Sequence, residues 1–240
     1  MTSHFRATSF VFKKEDRSDT DRIFSVFTKE FGRLKIFAKS IRKITSKLKS
    51  GVDIFSISQM EFIQGKTKKT LTDSIFIKKF NNILDSPKRF LIAKKISEVL
   101  EDFLKGEEQD EKIFNLLEKT FDNLNSVSLK KENCDLVYYY FLWNLFSLLG
   151  FLPELEKCAE CNLKLNPSEV YFSYKDGGVV CKKCLDNNIK SQKINSDVVK
   201  ILRMFLKDDW QTLSKLKISF LSKKMLEEIS KGYYLYLLEK

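Results

Sequence analysis

Four of the five cysteines in this 240-residue chain stand in two close pairs that could hold a metal ion. Cys158 and Cys161 form the first pair, and Cys181 and Cys184 form the second, after nineteen intervening residues. Each C-x2-C pair can wrap one side of a tetrahedral ion, and zinc in structural sites favours four thiolates. We therefore predict one structural Zn²⁺ ion bound by these four side chains.

A redox-active pair and an iron–sulfur cluster are the alternatives for these cysteines. A single C-x2-C motif suits thiol exchange, and iron–sulfur clusters also use four cysteines. Two facing pairs in a helical context favour zinc over exchange, and four thiolates leave no open position for a catalytic water. Cys134 stands alone and is expected to be a small buried residue of a helix.

A run of positive charge is the second feature with chemical consequences. Residues 33–49 contain seven basic side chains and no acidic one. In a strand, alternate residues share a face, so Leu34, Ile36 and Ala38 are expected to face a core. The candidate nucleic-acid-binding residues on the opposite face and in the following loop are Arg33, Lys35, Phe37, Lys39, Arg42, Lys43, Lys47 and Lys49.

This arrangement suits a nucleic acid because cations can follow the phosphates while an aromatic ring stacks on a base. For Phe37 itself, a position in the barrel core is favoured over a stacking role. Charge runs are usually solvated faces, but ordinary faces mix both signs and this run does not. Contacts to about seven phosphates would give a slope of roughly −5 for log K against log salt. A second basic cluster, at a predicted hairpin tip, either extends the path or solubilises a loop; it comprises Lys66, Lys68 and Lys69.

The charge of the whole chain is divided unevenly. Residues 1–80 hold 18 basic and 8 acidic side chains, whereas residues 81–240 hold 25 and 24. The net charge of +11 therefore lies almost entirely in the first third. An apolar fraction of 43% excludes an intrinsically disordered chain. The charge division favours two domains, at residues 1–80 and 81–240.

The elements that must position these side chains follow from the periodicity. Short apolar runs in residues 5–80 predict about five strands, with Gly32 in a hairpin, and favour an OB-fold barrel. The predicted strands include residues 22–29, 34–40, 52–57, 59–64 and 71–80. Helical periodicity then predicts helices at residues 87–105, 113–124, 132–149, 197–206 and 222–238. The predicted fold class is α+β, with an N-terminal OB-fold barrel, an all-α domain and a zinc-ribbon-like insert at residues 158–184.

Residues 136–153 form a run of eighteen uncharged residues, and a run of this length is close to the shortest that can span a membrane. Polar interruptions and acidic flanks favour a buried central helix instead. The N-terminal residues have no apolar run of signal-peptide length, so we expect a cytoplasmic protein without membrane contact. The single histidine, His4, and the lack of nucleotide-loop or nuclease motifs argue against an enzyme.

Taken together, these residues resemble the RecO family of bacterial recombination mediators over nearly the whole chain. The segments that carry the resemblance are residues 21–23, 27–34, 38–43, 46–48, 148–155 running into Cys158 and Cys161, and 177–181 continuing to Cys184. The sequence departs from the family at Ser40, where a glycine is usual, and this leaves the geometry of that turn open.

The resemblance implies an N-terminal OB-fold and a C-terminal helical domain with a zinc-finger insert. It implies a nucleoid-associated protein that binds single- and double-stranded DNA and anneals complementary strands. It also implies work with RecR and, through the single-stranded DNA-binding protein SSB, the loading of RecA. Some relatives lack the cysteines, so the metal is expected to be structural.

Two other functions compete with a DNA-binding mediator. An RNA-binding protein with an OB-fold and a zinc ribbon would use the same charge. An interaction scaffold would dock partners through the helical domain and the insert, and its basic face would be secondary.

Overall fold

The structure is a computed structural model, and it describes residues 3–126, 134–166, 169–185 and 191–240. The chain divides into two compact units, Met1–Cys134 and Asp135–Lys240, which are considered separately. Residues 132–133 of a predicted helix and residues 167–168 of the predicted insert lie outside the described residues. The predicted division at residue 80 stays a prediction about which segments fold independently.

A closed five-strand barrel forms the first part of the N-terminal unit, and it confirms the predicted OB-fold. The strands run in the order β1-β2-β3-β5-β4, and β4 pairs with β1 to close the barrel. The β3–β5 pair is parallel, whereas the other pairs are antiparallel. The strands are β1 (His4–Asp16), β2 (Arg22–Thr28), β3 (Gly32–Ala38), β4 (Ser56–Gln64) and β5 (Lys69–Lys79).

Strand β3 alternates as its sequence predicts. Leu34, Ile36 and Ala38 belong to the barrel core, whereas the intervening side chains are half-buried or exposed. The β2–β3 hairpin turns at Gly32, whose φ of 65° is readily adopted by glycine.

The predicted strand at residues 52–57 is wrong, and β4 is one continuous strand that begins at Ser56. Phe55 has a positive φ of 54°, which prevents an extended strand before β4. Its ring is 1% exposed and contacts the rings of Phe90 and Phe121. Burial of this ring offsets the cost of the left-handed backbone, and local sequence patterns do not show such a long-range contact.

Three helices follow the barrel in the described residues of the N-terminal unit: α1 (Asn81–Leu84), α2 (Pro87–Phe103) and α3 (Glu111–Ser126). Helix α2 begins as predicted, with Ser86 accepting a hydrogen bond from the Arg89 amide. Phe10 of β1 contacts Phe121 of α3 with ring centroids 4.5 Å apart. Strand β1 is therefore buried on both faces, because Val11 lies in the barrel core while Phe10 packs against the helices.

The C-terminal unit packs its helices around α4 (Cys134–Leu148), and the other helices are α5 (Ser196–Leu206), α6 (Trp210–Leu213) and α7 (Phe220–Leu238). Trp143 of α4 is fully buried, stacks on Tyr233 and donates from Nε1 to the Ser230 hydroxyl at 2.9 Å. The uncharged segment is thus the centre of a helical core. None of the helices described here has the length and apolarity that crossing a membrane requires.

A small sheet interrupts these helices, with strand order β7-β6-β8. Its strands are β6 (Val170–Ser173), β7 (Gly178–Cys181) and β8 (Ser191–Ile194). The sheet extends beyond the predicted insert at 158–184, because β8 pairs with β6 and Glu154 forms a bridge with Gly178. The short strand β8 has no alternating apolar pattern of its own, which is why the sequence did not indicate it.

Candidate nucleic-acid interface and metal centre

The outer side of β3 presents the predicted side chains in the expected alternation. Lys35 is exposed, Phe37 is half-buried, and Lys39 is exposed just beyond the strand end. The favoured position of Phe37 in the barrel core is wrong, because the alternation of β3 puts Phe37 on the side of the lysines, opposite Leu34, Ile36 and Ala38. The alternation of β3 therefore brings an aromatic ring and two cations onto one surface.

Arg33 stands on the same strand but is engaged by helix α2. Its Nη1 donates to the carbonyl oxygens of Glu101 and Leu104 at 3.0 and 2.6 Å, and its side chain is only 16% exposed. Carbonyl groups at a helix C-terminus lack partners within the helix, and an arginine satisfies them well. Arg33 thus connects the barrel to α2 and has few donors left for a phosphate.

A groove of about 640 Å³ lies beside this strand. Its size is typical of pockets that hold small organic ligands, so a nucleotide would fit. Lys69 in the groove is paired with Glu107 at 2.6 Å, whereas Lys66 on the same turn is exposed. The groove is lined by Ile23, Arg33, Lys35, Phe37, Gln64, Thr67, Lys68, Lys69, Lys105, Gly106 and Glu107.

The ring of Phe37 is covered by a lysine within this groove. Lys68 places its Nζ 3.7 Å from the ring centroid, in a cation–π contact. A base could stack on Phe37 only if Lys68 moved aside, and the ammonium would then be available to a phosphate. The two predicted basic clusters therefore meet at one aromatic ring.

The segment between β3 and β4 carries the other predicted cations. Lys43, Lys47 and Lys49 are exposed, and within the described part of the chain they form no ion pair. Arg42 is also exposed, but its Nη1 donates to the Ser18 carbonyl at 2.8 Å. This segment, residues 39–50, is called the basic loop below.

The basic loop begins at a strained residue held by one carboxylate. Ser40 has a φ of 55°, so a serine adopts the left-handed conformation that glycine would take easily. Its amide donates to Asp21 Oδ1 at 2.8 Å, and this bond holds the pKa of the Asp21 carboxyl below its usual value. Serine stands here in place of the glycine usual in the family, yet the backbone of the turn keeps the conformation that glycine would adopt.

The four cysteines of the two C-x2-C pairs converge in the C-terminal unit. Their sulfur atoms all lie within 4.8 Å of one another, and Cys161 Sγ is 3.9 Å from Cys181 Sγ. A tetrahedral zinc with bonds of about 2.3 Å separates its sulfurs by about 3.8 Å, whereas a disulfide needs about 2.05 Å. The geometry fits a four-thiolate metal ion and excludes a disulfide at this separation.

The surroundings of the sulfurs favour a bound cation. Burial opposes ionisation of Cys158, but amide groups of Cys161 and Cys181 outweigh it and lower the pKa to about 6. The hydrogen bond with Cys161 is the main cause that raises the pKa of Cys184. Four thiolates this close repel one another, so only a metal ion allows all of them to ionise together.

Sequence reasoning missed three residues of these surfaces. Asp21 anchors the basic loop, and Lys105 completes the groove from a segment distant in sequence. Ile44 is 99% exposed in the middle of the basic loop. Of these three residues, only Ile44 could have been noticed in the sequence, because an isoleucine between basic residues is unusual for a solvated loop.

Comparison with known proteins shows the family. A model described as "Recombination protein O N terminal" matches residues 1–80, and one described as "Recombination protein O C terminal" matches residues 84–240. The chain belongs to the RecO family. A protein of Dehalococcoides mccartyi named "DNA repair protein RecO" is 32% identical over 215 residues, which are 90% of this chain and 83% of that protein.

More distant RecO proteins align over a longer part of the chain. A "DNA repair protein RecO" of Caldanaerobacter subterraneus is 28% identical, over 95% of this chain and 90% of that protein. One of Halalkalibacterium halodurans is 26% identical, over 95% of this chain and 88% of that protein. The likeness to RecO proteins therefore covers both the barrel unit and the helical unit.

Replacing Ser40 with glycine should stabilise the N-terminal unit by about 0.5–1 kcal/mol, because glycine adopts the positive φ without strain. Thermal unfolding would measure this gain. The matched control is Ser46→Gly, because Ser46 has an ordinary φ of −74° and should gain nothing. An equal change in stability at both positions, or a loss of stability in Ser40→Gly, would contradict a strained turn at Ser40.

Proposed function

We propose that the protein is a non-enzymatic recombination mediator that binds single- and double-stranded DNA through the barrel face and the basic loop. Exposed cations without an acidic partner, which include Lys43, Lys47 and Lys49, are the observation that carries this proposal. An ordinary solvated face mixes charges of both signs, whereas residues 33–49 contain no acidic side chain. Membership of the RecO family supports the DNA repair role.

The proposed mechanism is electrostatic. Lysines on the basic loop and on the outer side of β3 hold phosphates, which releases counterions from the DNA. Two complementary strands repel each other less once their phosphates are neutralised, so they can approach and pair. The groove with Phe37 and Lys68 gives an unpaired base a stacking surface beside this path. Arg33 acts in this scheme as a positioning residue, because it fixes α2 against the barrel.

The proposed cellular role is to help load RecA onto SSB-coated DNA together with RecR. The C-terminal unit is the part suited to partner proteins, since nearly all of the excess charge lies before residue 81. The nucleoid is the proposed location, because the DNA that the protein is proposed to bind is there. In this proposal, DNA contacts the barrel face and the basic loop, whereas SSB and RecR contact the C-terminal unit.

The proposed metal is one structural Zn²⁺ held by Cys158, Cys161, Cys181 and Cys184. It would join the first pair to the end of β7, because Cys181 ends that strand. When bound, the ion supplies charge neutralisation of the thiolates and a cross-link. The Cys158 sulfur accepts a hydrogen bond from the Cys181 amide at 3.4 Å, which orients one ligand before the ion binds.

Reversing two loop charges should weaken DNA binding and strand annealing. The variant Lys43→Glu with Lys47→Glu is expected to lose roughly tenfold or more in affinity at low salt, alike for unrelated DNA sequences. Fluorescence anisotropy and annealing of SSB-coated complementary strands would measure the two effects. The matched control, Lys94→Glu with Lys112→Glu, has the same charge change on exposed sites of α2 and α3 and should bind normally.

Equal losses in both double variants would contradict a role for the basic loop. An effect confined to one DNA sequence would also contradict it. Competition with RNA of the same sequence tests the RNA-binding alternative, because an RNA-binding protein would prefer the RNA strand. A scaffold would instead keep DNA binding unchanged when the loop charges are reversed.

Elemental analysis of the purified protein should give one zinc per chain. Cys181→Ser should lose the ion and lower the unfolding temperature, because the C-terminal unit then lacks the cross-link that the ion makes between the two cysteine pairs. Cys134→Ala lies outside the four-cysteine group and should retain zinc. Protein that contains no zinc, or contains iron with sulfide, would refute the assignment.

A further inference from the structure

The tip of the basic loop exposes an apolar side chain almost completely. Ile44 is 99% exposed, and no other large apolar side chain in the described residues is as exposed. Hydrophobic side chains scattered singly on a surface need no explanation, but this one lies within a run without any acidic residue. Its neighbours Arg42, Lys43 and Thr45 are exposed as well.

The loop that carries Ile44 is fixed at both ends. Ile41 is 2% exposed and belongs to the barrel core, so its side chain secures the start of the loop. At the far end, the Ser74 hydroxyl donates to the Leu48 carbonyl at 3.1 Å. Gly51 lies so close to β5 that a Cβ there would be 1.7 Å from the backbone carbonyl oxygen of Ser74. The ends are therefore anchored in the barrel.

Hydrogen bonds inside the loop also limit its freedom. The Lys43 amide donates to the Ser40 carbonyl at 3.2 Å, and the Ser46 amide donates to the Lys43 carbonyl at 3.1 Å. The Arg42 amide donates to the Thr20 carbonyl at 3.0 Å, which ties the loop to the β1–β2 connection. Ile44 is thus presented on a structured turn, whereas Ile41 of the same loop is buried in the barrel core.

We propose that Ile44 is an apolar wedge that packs against the faces of unpaired bases in bound single-stranded DNA; this inference rests on the DNA-binding function proposed above. Lys43 immediately precedes Ile44 and Lys47 follows three residues later, so phosphates held by these two lysines would bring the attached bases within reach of Ile44. Proteins insert branched apolar side chains between bases in this way, and unpaired bases cost least to separate. The wedge contacts the faces of the bases and leaves their edges free, and free edges are what pairing with a second strand requires.

The test measures binding of fluorescent oligothymidylate and of an abasic deoxyribose-phosphate strand of the same length. Ile44→Ala should weaken binding to oligothymidylate roughly five- to tenfold at constant salt, the effect of losing part of an isoleucine contact. Binding to the abasic strand should be unchanged, because that strand offers phosphates without bases. Ile44→Phe should bind oligothymidylate at least as tightly as the unmodified protein.

Two controls separate this wedge from the wider function. Ile75→Ala removes an isoleucine that is 64% exposed on β5, outside the basic loop, and should leave binding unchanged. Normal binding by Ile44→Ala, while the Lys43→Glu, Lys47→Glu variant binds weakly, would overturn the wedge and leave the proposed function standing. An equal loss on the abasic strand would also overturn it. Normal binding by all these variants would overturn both proposals.

Discussion

Closure of the five-strand barrel is the constraint on which the rest of the structure depends. Strand β3 is held between β2 and β5, and its contact with β5 is a short parallel pairing at Ile36 and Phe37. Leu34 and Ile36 lie in the core, and successive side chains of a strand point to opposite faces, so Lys35 must lie on the outer side of the barrel. The outward position of the cations that we propose as DNA ligands is thus a consequence of how the barrel closes.

The same closure fixes the basic loop, which leaves β3 at one end and is hydrogen-bonded to β5 through Leu48 and Ser74 at the other. Asp21 compensates the strain at Ser40 through a charge-assisted hydrogen bond. An anchored loop loses little conformational freedom when it binds DNA, so more of the electrostatic attraction remains as affinity. The cations are therefore organised before the ligand arrives, while Lys68 still has to leave the Phe37 ring.

Local patterns predicted a five-strand barrel, the alternation of β3 and the four-cysteine cluster, because each depends on spacing along the chain. They failed where distant residues decide the outcome. Phe55 adopts a left-handed backbone because its ring packs against helices more than thirty residues away. Arg33 looks like a DNA ligand in sequence, yet carbonyls at the end of α2 take its donors. Strand β8 exists only through its pairing with β6.

The salt dependence of single-stranded DNA binding tests the central claim most directly. Seven cations in residues 33–49 suggested a slope of roughly −5, but Arg33 is engaged by α2 and Arg42 is engaged by Ser18 and Asp16, so five remain. Log K against log salt should therefore fall with a slope of about −3.5 for the full-length protein. A flat response would contradict phosphate contacts by the barrel face and the basic loop.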